Sequence, residues 1–104
     1  TLARLFKKNM QSLGHNVRLG DDTVLHFSTD VGNVSRLVPT IQPMVPVAPG
    51  TVLIHTPAFA KVAATEDALR RLLDAARAMA MTAVDLLASP ATLAKVQAEF
   101  RKGK

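Results

Sequence analysis

The sequence predicts an α/β fold, and three observations support this prediction. Apolar residues recur at helical spacing over about residues 65–88. Short runs rich in strand-forming residues, at 23–27 and 51–54, are bounded by turn-forming residues. The elements follow one another as helix, strand, helix, strand, strand, helix, helix. These few short strands make a thin sheet for a free-standing domain, which is typical of a fragment of a larger layered domain.

The composition restricts the classes of protein to which the chain can belong. The 104 residues include no cysteine, which excludes disulfides and thiolate metal sites. No apolar run approaches the roughly 18 residues that a membrane span needs, so we predict no membrane partner. The net charge is +5, but the basic residues are dispersed and Trp and Tyr are absent. Because base-stacking surfaces need exposed aromatic rings, we predict no nucleic-acid partner.

The N-terminal region predicts one helix and one strand. Apolar residues fall at helical spacing up to Leu13, and Gly14 follows them as a natural C-terminal stop. A polar loop over 16–22 then leads to the short strand at 23–27. The apolar face of this first helix consists of Leu2, Leu5, Phe6, Met10 and Leu13.

The middle of the chain predicts short, interrupted elements. Residues 31–37 favour a short helix that ends before Pro39, because the residue preceding a proline disfavours helical geometry. Residues 40–47 are apolar and extended, but two prolines within them cannot donate to a strand ladder. We therefore predict a sheet edge or an irregular strand at 40–47, followed by a short strand at 51–54.

The long helix over 65–88 is the strongest structural prediction. Thr65 caps it, and Glu66 and Asp67 lie in the first turn, where the helix dipole favours acidic residues. A second helix begins at Ser89–Pro90. Charged residues occupy one side of the long helix, and the other side is expected to pack on a sheet. That apolar stripe consists of Leu69, Leu72, Leu73, Ala76, Ala80, Ala83, Val84 and Leu87.

Two motifs carry side chains suited to chemistry. The run Ser-Thr-Asp-Val-Gly-Asn at 28–33 lies where a predicted strand meets a predicted helix. Free backbone N–H groups at such a junction bind anions, although simple helix capping explains the same residues. His55 precedes a Thr-Pro turn and is either a metal ligand or catalytic group, or a surface histidine. No His-x-x-x-His or His-Glu-x-x-His pattern accompanies it.

These motifs occur together in one known family. The runs at 26–35, 38–41, 55–57 and 80–87 resemble the C-terminal end of the dinuclear-zinc amidohydrolases and metallopeptidases. This family includes aminoacylases, carboxypeptidase G and the bacterial aminobenzoyl-glutamate hydrolase. The resemblance extends over nearly the whole chain, from about residue 2 to residue 100.

The resemblance implies that residues 1–104 form the C-terminal segment of a three-layer α/β/α catalytic domain. In the family, an inserted lid domain interrupts that catalytic domain, and the long helix would pack on its sheet. The implied cofactor is a pair of zinc ions, with His55 as the last zinc ligand. Asp30 would hold the preceding loop in place. The residues implied to line the carboxylate end of the substrate site are Ser28, Thr29, Gly32 and Asn33.

The predicted function is therefore zinc-dependent hydrolysis of amide bonds in N-acyl amino acids, aminobenzoyl-glutamate-like compounds or dipeptides. The other zinc ligands of the family are missing from this sequence, so the isolated chain is expected to be inactive. A cytoplasmic location is expected, together with self-association through exposed apolar surface. Two alternatives stay open, namely a non-catalytic remnant and a small basic module that binds a polyanion.

Overall fold

The computed structural model of the chain describes residues 1–20 and 28–103. Within these residues the chain is helical and contains no β-strand. The strand predicted at 23–27 lies outside the described residues. The helices are α1 (Leu2–Ser12), α2 (Val31–Val34), α3 (Pro57–Ala63), α4 (Glu66–Ala88) and α5 (Pro90–Lys102).

The helix boundaries follow from local capping. Thr65 Oγ1 accepts a hydrogen bond from the backbone N–H of Ala68 at 3.3 Å, which confirms it as the cap of α4. Ser89 Oγ accepts in the same way from the N–H of Thr92 at 3.3 Å, and proline occupies the first turn of α5. Gly14 ends α1 with a φ of 87°, a conformation that glycine adopts without steric cost.

The core lies where α1 crosses α4. Phe6 and Met10 of α1 meet Ala78 of α4, and these residues are 5%, 2% and 0% exposed. The methyl side chain of Ala78 allows the two helix backbones to approach closely. Helix α5 also packs on α4, and its Val96 is buried. Helices α1, α3 and α5 therefore all pack on the one long helix α4.

The predicted strands after residue 39 are not formed. Residues 41–47 run extended without a ladder, and Ile41 and Val45 pack against the α1–α4 core instead. The two prolines in this segment lack the N–H groups that a ladder needs. Residues 51–54 form no strand either, and the N–H of Val52 donates to the carbonyl of Pro49 at 2.9 Å, which closes a turn over 49–52. The described residues therefore do not confirm the α/β class.

The apolar stripe predicted to face a sheet is exposed in this structure. Its large side chains range from 48% exposed at Leu69 to 82% at Leu87. The side of α4 that packs on α1 is instead the side that holds Ala78, Thr82 and Asp85. Helix α4 thus has one covered side and one uncovered apolar side. Among the described residues, no helix is both long enough and apolar enough to cross a lipid bilayer.

Candidate functional site

The polar run at 28–33 forms a tight turn into α2. Thr29 Oγ1 accepts a hydrogen bond from the N–H of Val31 at 3.3 Å. Its carbonyl accepts from the N–H of Gly32 at 3.2 Å, and the carbonyl of Asp30 accepts from Asn33 at 3.0 Å. The side chains that the resemblance assigns to substrate binding are exposed. They are Ser28, Thr29 and Asn33.

The N-terminus of α2 gives little electrostatic support to an anion. The helix is a single turn of 4 residues, and the Asp30 side chain makes no capping hydrogen bond there. A short helix aligns few peptide dipoles, so its partial charge is small. A Cβ built on Gly32 meets nothing within 4 Å. No described part of the chain therefore lies close enough to Gly32 to require a glycine there.

His55 adopts a left-handed backbone conformation with a φ of 63°. This conformation is uncommon for residues other than glycine, and histidine is among the enriched exceptions. The next residue holds the turn in place, because Thr56 Oγ1 donates to the carbonyl of Leu53 at 2.7 Å and accepts from the N–H of Phe59 at 3.2 Å. Thr56 thereby caps α3, with Pro57 at its first position. The exposed His55 therefore lies on a hydrogen-bonded turn.

The described residues do not bring His55 and the 28–33 turn into one site. No hydrogen bond or ion pair joins the two segments within the described part of the chain. A cleft of about 1070 Å³ lies elsewhere, between the end of α1, residues 41–46 and the start of α4. None of the sequence-predicted site residues lines that cleft. Their common role therefore rests on the resemblance.

The described residues do not by themselves form a zinc centre. Zinc in proteins takes three or four ligands from His, Cys, Asp and Glu. In residues 1–20 and 28–103, no group of three or more such side chains is placed to hold a metal ion. His55 can supply one nitrogen. Any zinc centre that includes it needs at least two further protein ligands from elsewhere.

A buried polar contact that sequence reasoning missed joins α1 to α4. Asn9 is 4% exposed, and its amide nitrogen donates to Thr82 Oγ1 and to Asp85 Oδ2, each at 3.0 Å. Thr82 in turn donates to the carbonyl of Ala78 at 2.7 Å. One signal was available, because Asn9 interrupts the apolar face of α1 between Phe6 and Leu13. A polar residue at such a position needs a buried partner.

A second polar contact fastens the end of α1 to α4. His15 Nε2 lies 2.9 Å from Asp74 Oδ2, and Arg77 Nη1 donates to Asp74 Oδ1 at 3.0 Å. The hydrogen bond from His15 holds the pKa of the Asp74 carboxyl below its ordinary value, and Arg77 adds to the effect. Both ion pairs are partly exposed. We assign this cluster to the fold, since no predicted site residue touches it.

Comparison with known proteins points to peptidases. The chain is 38% identical over 105 residues to a mouse protein named Xaa-Arg dipeptidase, an alignment that includes 97% of this chain. It is 33% identical over 104 residues to the human protein of the same name, again with 97% of the chain aligned. No protein-family model matches the sequence. No solved structure matches it.

The similarity covers a small part of each relative. The aligned region is 24% of the mouse protein and 23% of the human protein. The chain therefore spans about a quarter of the length of the curated relatives that it matches. This fits a fragment of a protein of the dipeptidase type.

Proposed function

We propose that the chain is the C-terminal part of the catalytic domain of a zinc-dependent amidohydrolase or peptidase. The observation that carries this proposal is the 38% identity to an Xaa-Arg dipeptidase over 97% of the chain. An alignment over nearly the whole chain includes both motifs, rather than one short match. The incomplete core supports the same conclusion, because α4 exposes an apolar side that a larger domain would cover.

In this proposal His55 supplies one zinc ligand. A ligating histidine must present one ring nitrogen in a defined direction. The left-handed backbone at His55 and the hydrogen-bonded Thr56 cap beside it provide such a direction. The other ligands come from polypeptide that this sequence lacks. The isolated chain is accordingly inactive, and no hydrolysis is assigned to it.

The 28–33 turn shapes the carboxylate end of the substrate site. Two exposed hydroxyls and one amide, from Ser28, Thr29 and Asn33, supply hydrogen-bond donors for a carboxylate. Gly32 leaves open space beside them. Asp30 contributes backbone hydrogen bonding to the turn.

The proposed substrates are small amides. They include N-acyl amino acids, aminobenzoyl-glutamate-like compounds and dipeptides. The names of the two relatives favour dipeptides that end in arginine. We place the parent enzyme in the cytoplasm.

The test begins with the coding sequence upstream of Thr1. If an open frame encodes further polypeptide, its complete product is assayed on a dipeptide ending in arginine, with and without added zinc. We expect zinc-dependent hydrolysis, and we expect His55→Ala to lower both bound zinc and the hydrolysis rate, the latter by about 100-fold or more. The 104-residue chain alone should show no hydrolysis.

His15→Ala is the matched control, because it removes a histidine that bonds Asp74 rather than one at the α3 turn. It should leave zinc content unchanged. Equal zinc content and equal rates in the His55→Ala variant and the parent would refute the metal-binding role. A start codon directly before Thr1, with no further coding sequence, would refute the catalytic proposal as a whole.

A further inference from the structure

Asp30 differs from every other acidic residue that the structure describes, because its carboxylate has no partner. Its exposed side chain forms no hydrogen bond or ion pair within residues 1–20 and 28–103. Each of the other described carboxylates accepts a hydrogen bond or pairs with a positive charge. They are Glu66, Asp67, Asp74, Asp85 and Glu99.

The turn that contains Asp30 does not use this carboxylate to hold its shape. The hydroxyl of Thr29 accepts a hydrogen bond from the N–H of Val31, and its carbonyl accepts from the N–H of Gly32. Asp30 takes part through its backbone carbonyl, which accepts from the N–H of Asn33. Its side chain makes no capping hydrogen bond to α2, although capping is the usual role of an aspartate at this position. The carboxylate is therefore free to bind a group from outside the turn.

An unpaired carboxylate in this turn affects which substrates the turn can bind. In the proposed function the turn binds the carboxylate of the substrate, and two negative charges at neighbouring positions repel each other. The repulsion grows when a closed site excludes water. Ser28, Thr29 and Asn33 supply uncharged donors, which do not cancel the negative charge of Asp30. A cation that lies beside both carboxylates removes the repulsion.

A dipeptide that ends in arginine supplies this cation on the same residue as its carboxylate. Its guanidinium is charged at neutral pH, and its planar N–H groups match the two oxygens of a carboxylate. The uncharged donors of the turn can then bind the substrate carboxylate while the guanidinium binds Asp30. Such dipeptides are the substrates that the names of the two relatives favour. The unpartnered carboxylate gives this preference a chemical basis.

We propose that Asp30 is a specificity-determining residue, whose carboxylate binds the cationic side chain of the substrate's C-terminal residue. The inference rests on the proposed function and adds to it the group that selects the substrate. A purely structural role, in which Asp30 pairs with a basic residue of further polypeptide, makes a different prediction, because its loss would affect all substrates alike.

The test compares alanyl-arginine with alanyl-citrulline, whose side chain has nearly the shape of arginine but no charge. In the complete enzyme, Asp30→Asn should lower the ratio of the two kcat/KM values by about tenfold or more, because hydrogen bonds between charged groups are strong. The loss should appear mainly in KM, since several bonds separate the guanidinium from the amide that is cleaved. Asp30→Glu keeps the charge and should retain most of the preference. Glu66→Gln is the matched control, because it removes the same charge from an exposed pair on α4, and it should leave the ratio unchanged.

The ratio does not depend on how much of a variant is folded, because both substrates are measured on the same preparation. Charge reversal extends the test, and Asp30→Lys should raise kcat/KM for alanyl-glutamate relative to alanyl-arginine. Equal losses on alanyl-arginine and alanyl-citrulline in Asp30→Asn would overturn the role of Asp30 and leave the proposed function intact. A complete parent enzyme that hydrolyses none of these dipeptides would instead refute the proposed function, and this inference with it.

Discussion

The two sides of α4 differ in whether other residues of the chain cover them. The side facing α1 combines apolar packing by Phe6 and Met10 with hydrogen bonds from Asn9. The opposite side is more apolar in sequence but is covered by none of the described residues, and its Leu87 is 82% exposed. The amount of apolar surface on a helix therefore does not decide which side is buried. The neighbours that the chain supplies decide it.

The uncovered side of α4 is the less favourable of the two in water. An uncovered stripe of leucines and alanines is costly in water, because apolar surface gains free energy when it is removed from solvent. The polar side of α4, by contrast, finds its partners within the chain. Around Asn9 the polar groups of α4 have partners, whereas the apolar side with Leu69 and Leu87 is uncovered by the described residues.

Truncation within the core should have the largest effect on stability. Met10 is 2% exposed between α1 and α4, so Met10→Ala leaves a cavity and should lower the free energy of unfolding by about 2–4 kcal/mol. Leu87→Ala removes a comparable volume from the uncovered side and should change it by less than about 0.5 kcal/mol in the monomer. Urea unfolding at low micromolar concentration measures both values. Equal losses would mean that the two sides are buried alike.

Asn9→Ala should lower the free energy of unfolding by less than Met10→Ala does. Asn9→Ala leaves Thr82 and Asp85 without their shared donor. We expect a loss of about 1–2 kcal/mol in the free energy of unfolding, because buried polar groups lose a partner. The same urea titration measures it, with Gln11→Ala on the exposed side of α1 as the control. If Asn9→Ala matched that control, the contact would contribute nothing.

Local signals allowed α1, α4 and α5 to be predicted. Thr65, Ser89 and Gly14 act within one turn of the residues that they cap or end, so short stretches of sequence reveal them. Periodicity also grouped the apolar residues of α4 correctly on one side. It could not say which neighbour that side would meet, because this depends on tertiary contacts. The packing of the apolar stripe on a sheet therefore stays a prediction, and periodicity did not indicate that the side with Ala78 and Thr82 meets α1.

Contacts distant in sequence escaped prediction. Asn9 and Thr82 are separated by 73 positions, and the sequence around either residue does not identify the other as its hydrogen-bond partner. Helix α3 was missed because its signal is confined to the Thr56 cap and the following proline. For the candidate site, sequence motifs indicate His55 and the 28–33 turn, but no hydrogen bond or ion pair joins these two segments within the described residues.

Loss of the α4 cap should have a smaller effect than loss of the buried amide. Thr65→Ala removes the side-chain acceptor for the N–H of Ala68, and helix caps of this kind contribute about 1 kcal/mol. The first turn of α4 should then fray, and this fraying should affect both sides of the helix equally. Thr65→Ser keeps the acceptor and serves as the control. Thermal unfolding followed by circular dichroism measures the shift, and a lower Tm for Thr65→Ser than for Thr65→Ala would contradict the capping role.

The pH dependence of the covered side should give the smallest effect. The pKa of Asp74 is lowered from 3.8, first by the hydrogen bond with His15 and also by Arg77. The folded state therefore binds its proton less readily than the unfolded state, and Asp74 stabilises the fold above the unfolded pKa. This contribution is lost as the pH falls through the lowered folded pKa.

Asp74→Asn should accordingly be less stable than the parent near pH 6, and the difference should shrink below about pH 4. Glu99 also has a lowered pKa, because it accepts hydrogen bonds from the amino group and hydroxyl of Thr1, so some acid sensitivity persists in the variant. Asp67→Asn is the control, since Asp67 forms an exposed pair with Arg71. Urea midpoints measured from pH 3 to pH 7 distinguish the variants. A difference between parent and Asp74→Asn that stayed constant over this range would show that the contact with His15 stabilises the fold through packing rather than through charge.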